Sequence, residues 1–465
     1  MRRFGKKQID SPQSITEGVI WKQLLVFFFP ILLGTFFQQL YNTADAIIVG
    51  KFVGTHALAA VGATGSLINL IVGFFMGLAS GATVIVSQYY GARNEQSVSH
   101  TVHTAMAFAL AAGLMLTFVG YAISPALLRM MGTPEDIMPY ATTYIRIYFV
   151  GMIPMLIYNI GSGILRAIGD SRRPLYFLIA SCMVNIVLDV LLVLGLNMGV
   201  AGAAWATTIS QFFSAVLVLT TLLRSQTSYQ LHVNKIRFHG SIMKDMVRIG
   251  LPAGLQSVMY SISNVIIQST VNSFGTDVIA AWTAFGKLDA VFWMIISAFG
   301  ISITTFVGQN FGAHKYDRMK KSVHTCLAMS FGASLIVIAV MLLLGRPLYG
   351  MFTSEEHVLE LGMQILRQLA PFWLTYVCIE IYSGALRGAG DSLLPTVFTL
   401  VGVCLLRVVW LLVIVPGTGS LTLTLYCYPI TWTITSVLFL LYYYKWGWLK
   451  RCKKKYGHED APAEG

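Results

Sequence analysis

The chain has 465 residues, of which 56% are hydrophobic and only 11% charged, with a formal net charge of +12. Soluble domains carry about 25% charged residues, so a soluble core of this size would lack the polar surface to cover it. Apolar windows recur from end to end, and one helical crossing of a bilayer needs about 20 apolar residues. The sequence therefore describes an all-α, polytopic membrane protein.

Span length and hydropathy place twelve transmembrane helices, at 20–48, 57–87, 98–122, 138–162, 174–196, 199–223, 243–272, 278–306, 320–344, 359–384, 394–415 and 420–444. The basic start MRRFGKKQID is not followed by a short apolar stretch with a small-residue cleavage site, so it is expected to be retained. Positive charge sets orientation. With both termini on one side, that side collects Arg2, Arg3, Lys6, Lys7, Arg93, Arg166, Arg172, Arg173, Lys235, Arg237, Lys315, Arg318, Arg387 and the tail lysines, while the other holds only Lys51, Arg129 and Arg346. Both termini are therefore expected to be cytoplasmic, in a cell inner (plasma) membrane. The net charge reflects this topology and membrane-lipid contact, not a nucleic-acid footprint. The tail KWGWLKRCKKKYG reads as a positive-inside anchor with interfacial aromatics. Six cysteines are scattered, mostly within spans and without metal-binding spacing, so neither disulfides nor a metal site is inferred.

The chain is two copies of one unit. GILRAIGDSRRP, starting at Gly163, recurs as GALRGAGDSLLP, starting at Gly384, an offset of 221. The same offset maps Gly54 to Gly275, Gln88 to Gln309, Gly91 to Gly312, His103 to His324 and Arg146 to Arg367. Each copy holds six spans, an even number, so the copies are parallel repeats around a central cavity, a plan suited to alternating access. The expected division is an N-lobe at 1–224, a polar cytoplasmic linker at 225–242, a C-lobe at 243–445 and a basic tail at 446–465. In the repeated LRxxGDSxxP loop, Asp170 and Asp391 are expected to cap a helix start or pair with loop arginines. Pro174 and Pro395 fit a first turn. His103 and His324 read as packing histidines near span entrances.

A charge at the centre of a membrane helix costs roughly 2.5–3.5 kcal/mol. The acids deep within spans, away from their ends, are few: Asp45, Asp189, Asp289 and Glu380. Gln38, Asn42 and Asp45 follow at i, i+4 and i+7 on one helix face, with Tyr41 bordering it. Asn185 and Asp189 are four apart and share a face of the fifth span, and Thr207 lies early in the next. Together these oxygen donors can hold a proton or a small hard cation; H+ and Na+ are served by the same groups. At the constant offset Asp189 becomes Trp410, Asn185 becomes Leu406 and Asp45 becomes Ile266 or Ile267, so the acidic site belongs to the first copy. In the second copy, Lys287 and Asp289 do not share a face, and Glu380 and Arg407 on adjacent spans are expected to pair. Tyr260 and Asn264 are softer cavity candidates.

Through ADAIIVG, SQYYGARN, LRAIGDSRRP, NIVLDVLLVLGLNMGVAGAAWAT, GQNFGAHK and LRGAGDSLLP the chain resembles the multidrug and toxic compound extrusion (MATE) family over nearly its whole length, most closely its DinF-like and MepA-like branches. The resemblance implies two six-helix lobes and cation-coupled antiport of amphipathic, often cationic compounds. It implies a cation site at Asp45, Asn185, Asp189 and Thr207, with Gln38, Tyr41 and Asn159 near the drug cavity. Asn42, Tyr260, Asn264 and Glu380 complete the expected substrate contacts. No acid stands in span seven beyond Asp245 at its very start, so coupling from the C-lobe is not expected. No cofactor is implied beyond the coupling H+ or Na+, and a monomer should suffice. The main alternative is a flippase or exporter of a lipid-linked or other endogenous metabolite. Such a protein would call for a more cationic cavity. An intramembrane enzyme is disfavoured, since no span-centre histidine, HExxH, GxSxG or P-loop is present.

Overall fold

The computed structural model describes residues 15–416 and 419–457. The basic cluster Arg2, Arg3, Lys6 and Lys7 lies outside the described residues. The first half comprises α1 (Ile20–Val53), α2 (Thr55–Gly91), α3 (Glu95–Met130), α4 (Met138–Val150 with Met152–Ala167), α5 (Arg172–Gly195) and α6 (Gly199–Arg224). The second comprises α7 (Gly240–Asn272), α8 (Thr276–Gly312), α9 (Tyr316–Leu343), α10 (Glu356–Gly388), α11 (Leu393–Val413) and α12 (Leu421–Lys445). A short tail helix, α13, spans Trp448–Lys455.

Ten of these segments are long and apolar enough to cross a membrane, and α4, bent by 49° at Gly151, makes eleven. The twelfth, α7, has the length, but Lys244, Asp245 and Arg248 in its first turns, with Gln256, Asn264 and Gln268 further on, dilute its hydropathy. Lipid accounts for the many large apolar side chains left uncovered, Phe118, Val187, Phe212, Val265 and Leu412 among them.

The duplication extends to backbone detail. α2 and α8 begin and end at positions related by the offset. The glycines that start them, Gly54 (φ 122°) and Gly275 (φ 99°), both adopt positive φ, as do Gly169 (φ 99°) and Gly390 (φ 85°) in the repeated loop. An L side chain strains these positions, which explains why glycine stands in both copies. Of the two loop aspartates, Asp170 caps. Asp170 Oδ1 accepts from the Arg172 and Arg173 amides, each at 3.1 Å, and its other oxygen meets Arg173 Nε at 3.2 Å. Asp391 instead accepts from the Tyr442 hydroxyl.

The core does not divide cleanly at the linker. Leu24, Phe27, Phe28 and Ile31 at the start of α1 join the core of the second half, with Phe28 stacked on Phe299 at 4.1 Å. Reciprocally, Ile242, Met246 and Ile249 at the start of α7 join the core of the first half. The seam between α2 and α7 is backbone-close: a Cβ at Gly77 would lie 2.4 Å from the Gly254 nitrogen. At this end the halves are also tied by one contact made twice. Gln88 Nε2 donates to the Gly388 carbonyl at 2.8 Å, and Gln309 Nε2 donates to the Ala167 carbonyl at 2.6 Å. Both donors and both acceptors obey the offset, so the pair surrounds a pseudo-two-fold axis. Towards the other end a cavity of about 450 Å³ opens between the halves, lined by Gln39, Asn42 and Thr43 of α1 and Lys287 of α8.

Candidate functional site

Three neighbouring helices of the first half bring the sequence candidates together. Asp45 comes from α1, Asn185 and Asp189 from successive turns of α5, and Thr207 from the third turn of α6. All four are buried, Asp189 completely and Asn185 to within 1%. Thr207 Oγ1 donates to Asp45 Oδ2 at 3.0 Å, and Asn185 and Asp189 stand beside the same carboxyl. The other Asp45 oxygen, both Asp189 oxygens and both polar atoms of Asn185 find no hydrogen-bond partner among the described residues. A buried, unsatisfied polar group costs about 1–3 kcal/mol, so several such atoms in one place demand a counter-charge or a proton. The donors are hard oxygens, which fit a proton or a small hard cation and offer nothing to a soft metal. The helices are irregular at this level: α5 turns π-helical over Val190–Gly195, directly after Asp189, and α1 does so over Val49–Val53. Such segments concentrate at functional sites because their loosened ladder can be redrawn.

Beside this cage lies a cavity of about 200 Å³ in which Gln38, Tyr41, Asn159, Tyr158, Gln211 and Arg166 take part. Gln38, Tyr41 and Asn159 therefore meet there, with Asn159 Nδ2 also bound to the Met155 carbonyl of its own helix at 2.8 Å. Asn42 does not join them. It lines the separate cavity between the halves, beside Gln39, Thr43 and Lys287. Tyr144 also comes close to Asp45, a neighbour that sequence spacing could not supply because it arrives from α4.

In the second half, Tyr260 and Asn264 line a cavity of about 480 Å³ together with Asp289 and Arg407. Its walls are aromatic: Trp293 packs against Tyr376 at 4.5 Å, and Tyr428 against Trp432 at 5.2 Å. This box was legible only as isolated aromatics; the helical spacing of Asp289 to Trp293 and of Tyr428 to Trp432 was the available signal. The expected pairing of Glu380 with Arg407 is not made. Glu380 instead packs against the Gly300 backbone within hydrogen-bonding reach of Tyr376, and Arg407 lies over the Tyr428 ring at 4.2 Å. Adjacent spans permitted the pair, but their facing surfaces do not bring these two side chains together. Lys287 and Asp289 open into different cavities, as their separation of two residues requires.

Two parallel six-helix repeats, with cavities inside and between them and buried acids in one, define a helical membrane transporter. The MatE family pattern matches residues 30–191 and again 252–413, and the chain belongs to that family. Among curated relatives, the Bacillus subtilis probable multidrug resistance protein YoeA is 28% identical over 94% of this chain and 96% of its own length. The Staphylococcus aureus multidrug export protein MepA is 21% identical over 85% of this chain and 88% of its own. Solved structures share the fold. A MOP superfamily transporter from Pyrococcus furiosus, described as having a binding pocket of reverse polarity, aligns with a TM-score of 0.88 at 23% identity, covering 97% of this chain and 100% of that one. An outward-facing multidrug resistance MATE transporter aligns with a TM-score of 0.87 at 23% identity and the same coverage. The protein is thus a multi-pass membrane transporter of the MatE multidrug family.

Proposed function

We propose that this chain exports small amphipathic organic compounds, cationic ones among them, in exchange for H+ or Na+ by alternating access. The observation that carries the reading is the cage of unsatisfied oxygens at Asp45, Asn185 and Asp189, placed next to a cavity built by the same helices. Gln38 and Tyr41 on α1, Leu178 on α5 and Gln211 on α6 line that cavity, and the cage residues sit on these same three helices. A proton or cation on the cage removes the repulsion of paired carboxylates and lets α1, α5 and α6 draw together, which narrows the cavity. Drug and coupling cation then favour different states, the condition for exchange. The end where the halves meet through Gln88 and Gln309 is cytoplasmic in this reading, so the cavity between them faces outward.

Efflux from vesicles holding purified protein and a fluorescent cationic dye, under imposed proton or sodium gradients, tests the reading. Gradient-dependent dye movement is expected; movement indifferent to both gradients would remove the coupling. Reporters fused after residue 232 and near Glu355 should read cytoplasmic and external respectively. The opposite result would invert the assigned direction.

A further inference from the structure

The C-lobe cavity holds two opposite charges that do not neutralise each other. Arg407 is only 2% exposed, its Nε has no hydrogen-bond partner among the described residues, and its guanidinium rests on the Tyr428 ring at 4.2 Å. Asp289 accepts from Trp293 Nε1 at 2.5 Å through one oxygen, while its other oxygen is buried and unpartnered. Both side chains line the same cavity of about 480 Å³, yet no ion pair joins them among the described residues.

A cation–π contact satisfies one face of a guanidinium and none of its N–H donors. Arg407 is therefore half-provided for, and so is Asp289. A singly charged ligand in this cavity would meet one of them and leave the other bare in low dielectric, which is costly. A ligand carrying both charges meets both. Its flat apolar body would find Trp293, Tyr376, Tyr428 and Trp432 as walls.

We propose that this cavity is a binding site for aromatic zwitterions, with the ligand's ammonium held at Asp289 and its carboxylate at Arg407. The site widens the export reading given above, on which it rests for its consequence: a lobe with paired carboxylates beside its cavity favours cations, and the second lobe adds amphoteric compounds. The carboxylate takes a charge-assisted hydrogen bond from the guanidinium edge, which leaves the Tyr428 contact on the face intact.

The test uses three dansyl probes of matched length on the purified full chain in lipid nanodiscs, with no ion gradient. Nε-dansyl-lysine carries both charges, dansyl-cadaverine only the ammonium and dansyl-aminohexanoate only the carboxylate. Dansyl emission rises on entering an apolar pocket and reports binding directly. Dansyl-lysine should bind about tenfold more tightly than either relative, the scale of one charged hydrogen bond. Arg407→Gln should erase its advantage over dansyl-cadaverine while cadaverine binding persists and certifies the fold. Asp289→Asn should erase its advantage over the hexanoate. Arg407→Lys retains the charge and should keep most of the preference; it decides the matter if the glutamine variant does not fold. Equal binding of dansyl-lysine and dansyl-cadaverine by the wild type, unchanged in Arg407→Gln, would make Arg407 an internal strut. Since binding needs no gradient, failure of coupled efflux and failure of this site are separate results.

Discussion

The two halves of the molecule share a backbone and differ in their interiors. Positive-φ glycines at the helix starts, the loop aspartates and the Gln88 and Gln309 contacts all recur at the same offset. The chemistry inside does not. Where the first half has Asp189, the second has Trp410, whose indole N–H donates to the Leu423 carbonyl at 2.9 Å and closes the position with a satisfied bond. Leu406 replaces Asn185, and the second cavity is aromatic with Asp289 and Arg407. Duplication has kept what joins the halves and let what binds diverge. Symmetric contacts between the halves with asymmetric contents inside them suit the proposed exchange, in which one half would hold the coupling ion.

The largest expected effect follows from that asymmetry. Asp45→Asn and Asp189→Asn should each reduce gradient-driven efflux to background while the protein remains in the membrane, since either removes half of the paired charge that an incoming cation must meet. Trp410→Phe, at the matching position, should leave gradient dependence unchanged. Wild-type coupling in an aspartate variant, or its loss in the tryptophan variant, would end the division of labour between the halves.

A smaller effect tests the shared part. Gln88→Ala and Gln309→Ala each delete one hydrogen bond worth about 0.5–1.5 kcal/mol, a shift of roughly twofold to tenfold in the balance between joined and separated lobes. Spin labels at exposed positions 93 and 320 would read that balance as a distance distribution. The two variants should shift it equally and the double variant about additively. A large effect from one and none from the other would replace the symmetric gate with a one-sided one.

Much of this was legible in the sequence, for physical reasons. Lipid leaves long apolar windows, duplication leaves a constant offset, and an acid such as Asp189 within Ile, Val and Leu is costly enough to be conspicuous. Asn185 and Asp189 share a face because four residues advance a helix by only slightly more than one turn. Asn42, read on the same face as Gln38, lines a different cavity from it, since a face read from spacing alone does not say which neighbour fills it. The pairing of Glu380 with Arg407 failed because sequence orders the spans but not their rotation. The glutamine contacts were visible as a repeat, though not as a bridge, because a hydrogen bond from Gln88 to Gly388 depends on how whole lobes dock. The exchange of α1 and α7 between cores is likewise a property of docking that hydropathy cannot encode.

The smallest expected effect concerns one histidine used in two ways. His324 Nε2 meets the Tyr444 hydroxyl at 2.9 Å and ties α9 to α12. Its counterpart His103 ties α3 to the linker instead: Nδ1 donates to the Ser99 carbonyl at 2.6 Å and Nε2 accepts from the His232 amide at 3.0 Å. Nearby, His239 sits outside the spans with Nδ1 3.0 Å from Thr104 Oγ1, and its Nε2 accepts from Arg237 Nε at 3.2 Å while its ring stacks on His100 at 4.3 Å. Burial first, then the neighbouring His100 and the Arg237 charge, hold His239 below the usual histidine range. A histidine whose folded value is depressed takes up its proton more readily when released. Docking is therefore complete above the free value of about 6.5 and weakens as pH falls through the depressed one. Linker amides from Ser225 to His239 should accordingly exchange faster at about pH 5 than at about pH 7 once intrinsic rates are divided out. His239→Asn should flatten that difference, and His103→Ala should raise exchange at both pH values. His324→Ala should do neither, because its partner lies on α12. Linker protection that is the same at both pH values in the wild type would leave the His239 contacts as packing alone.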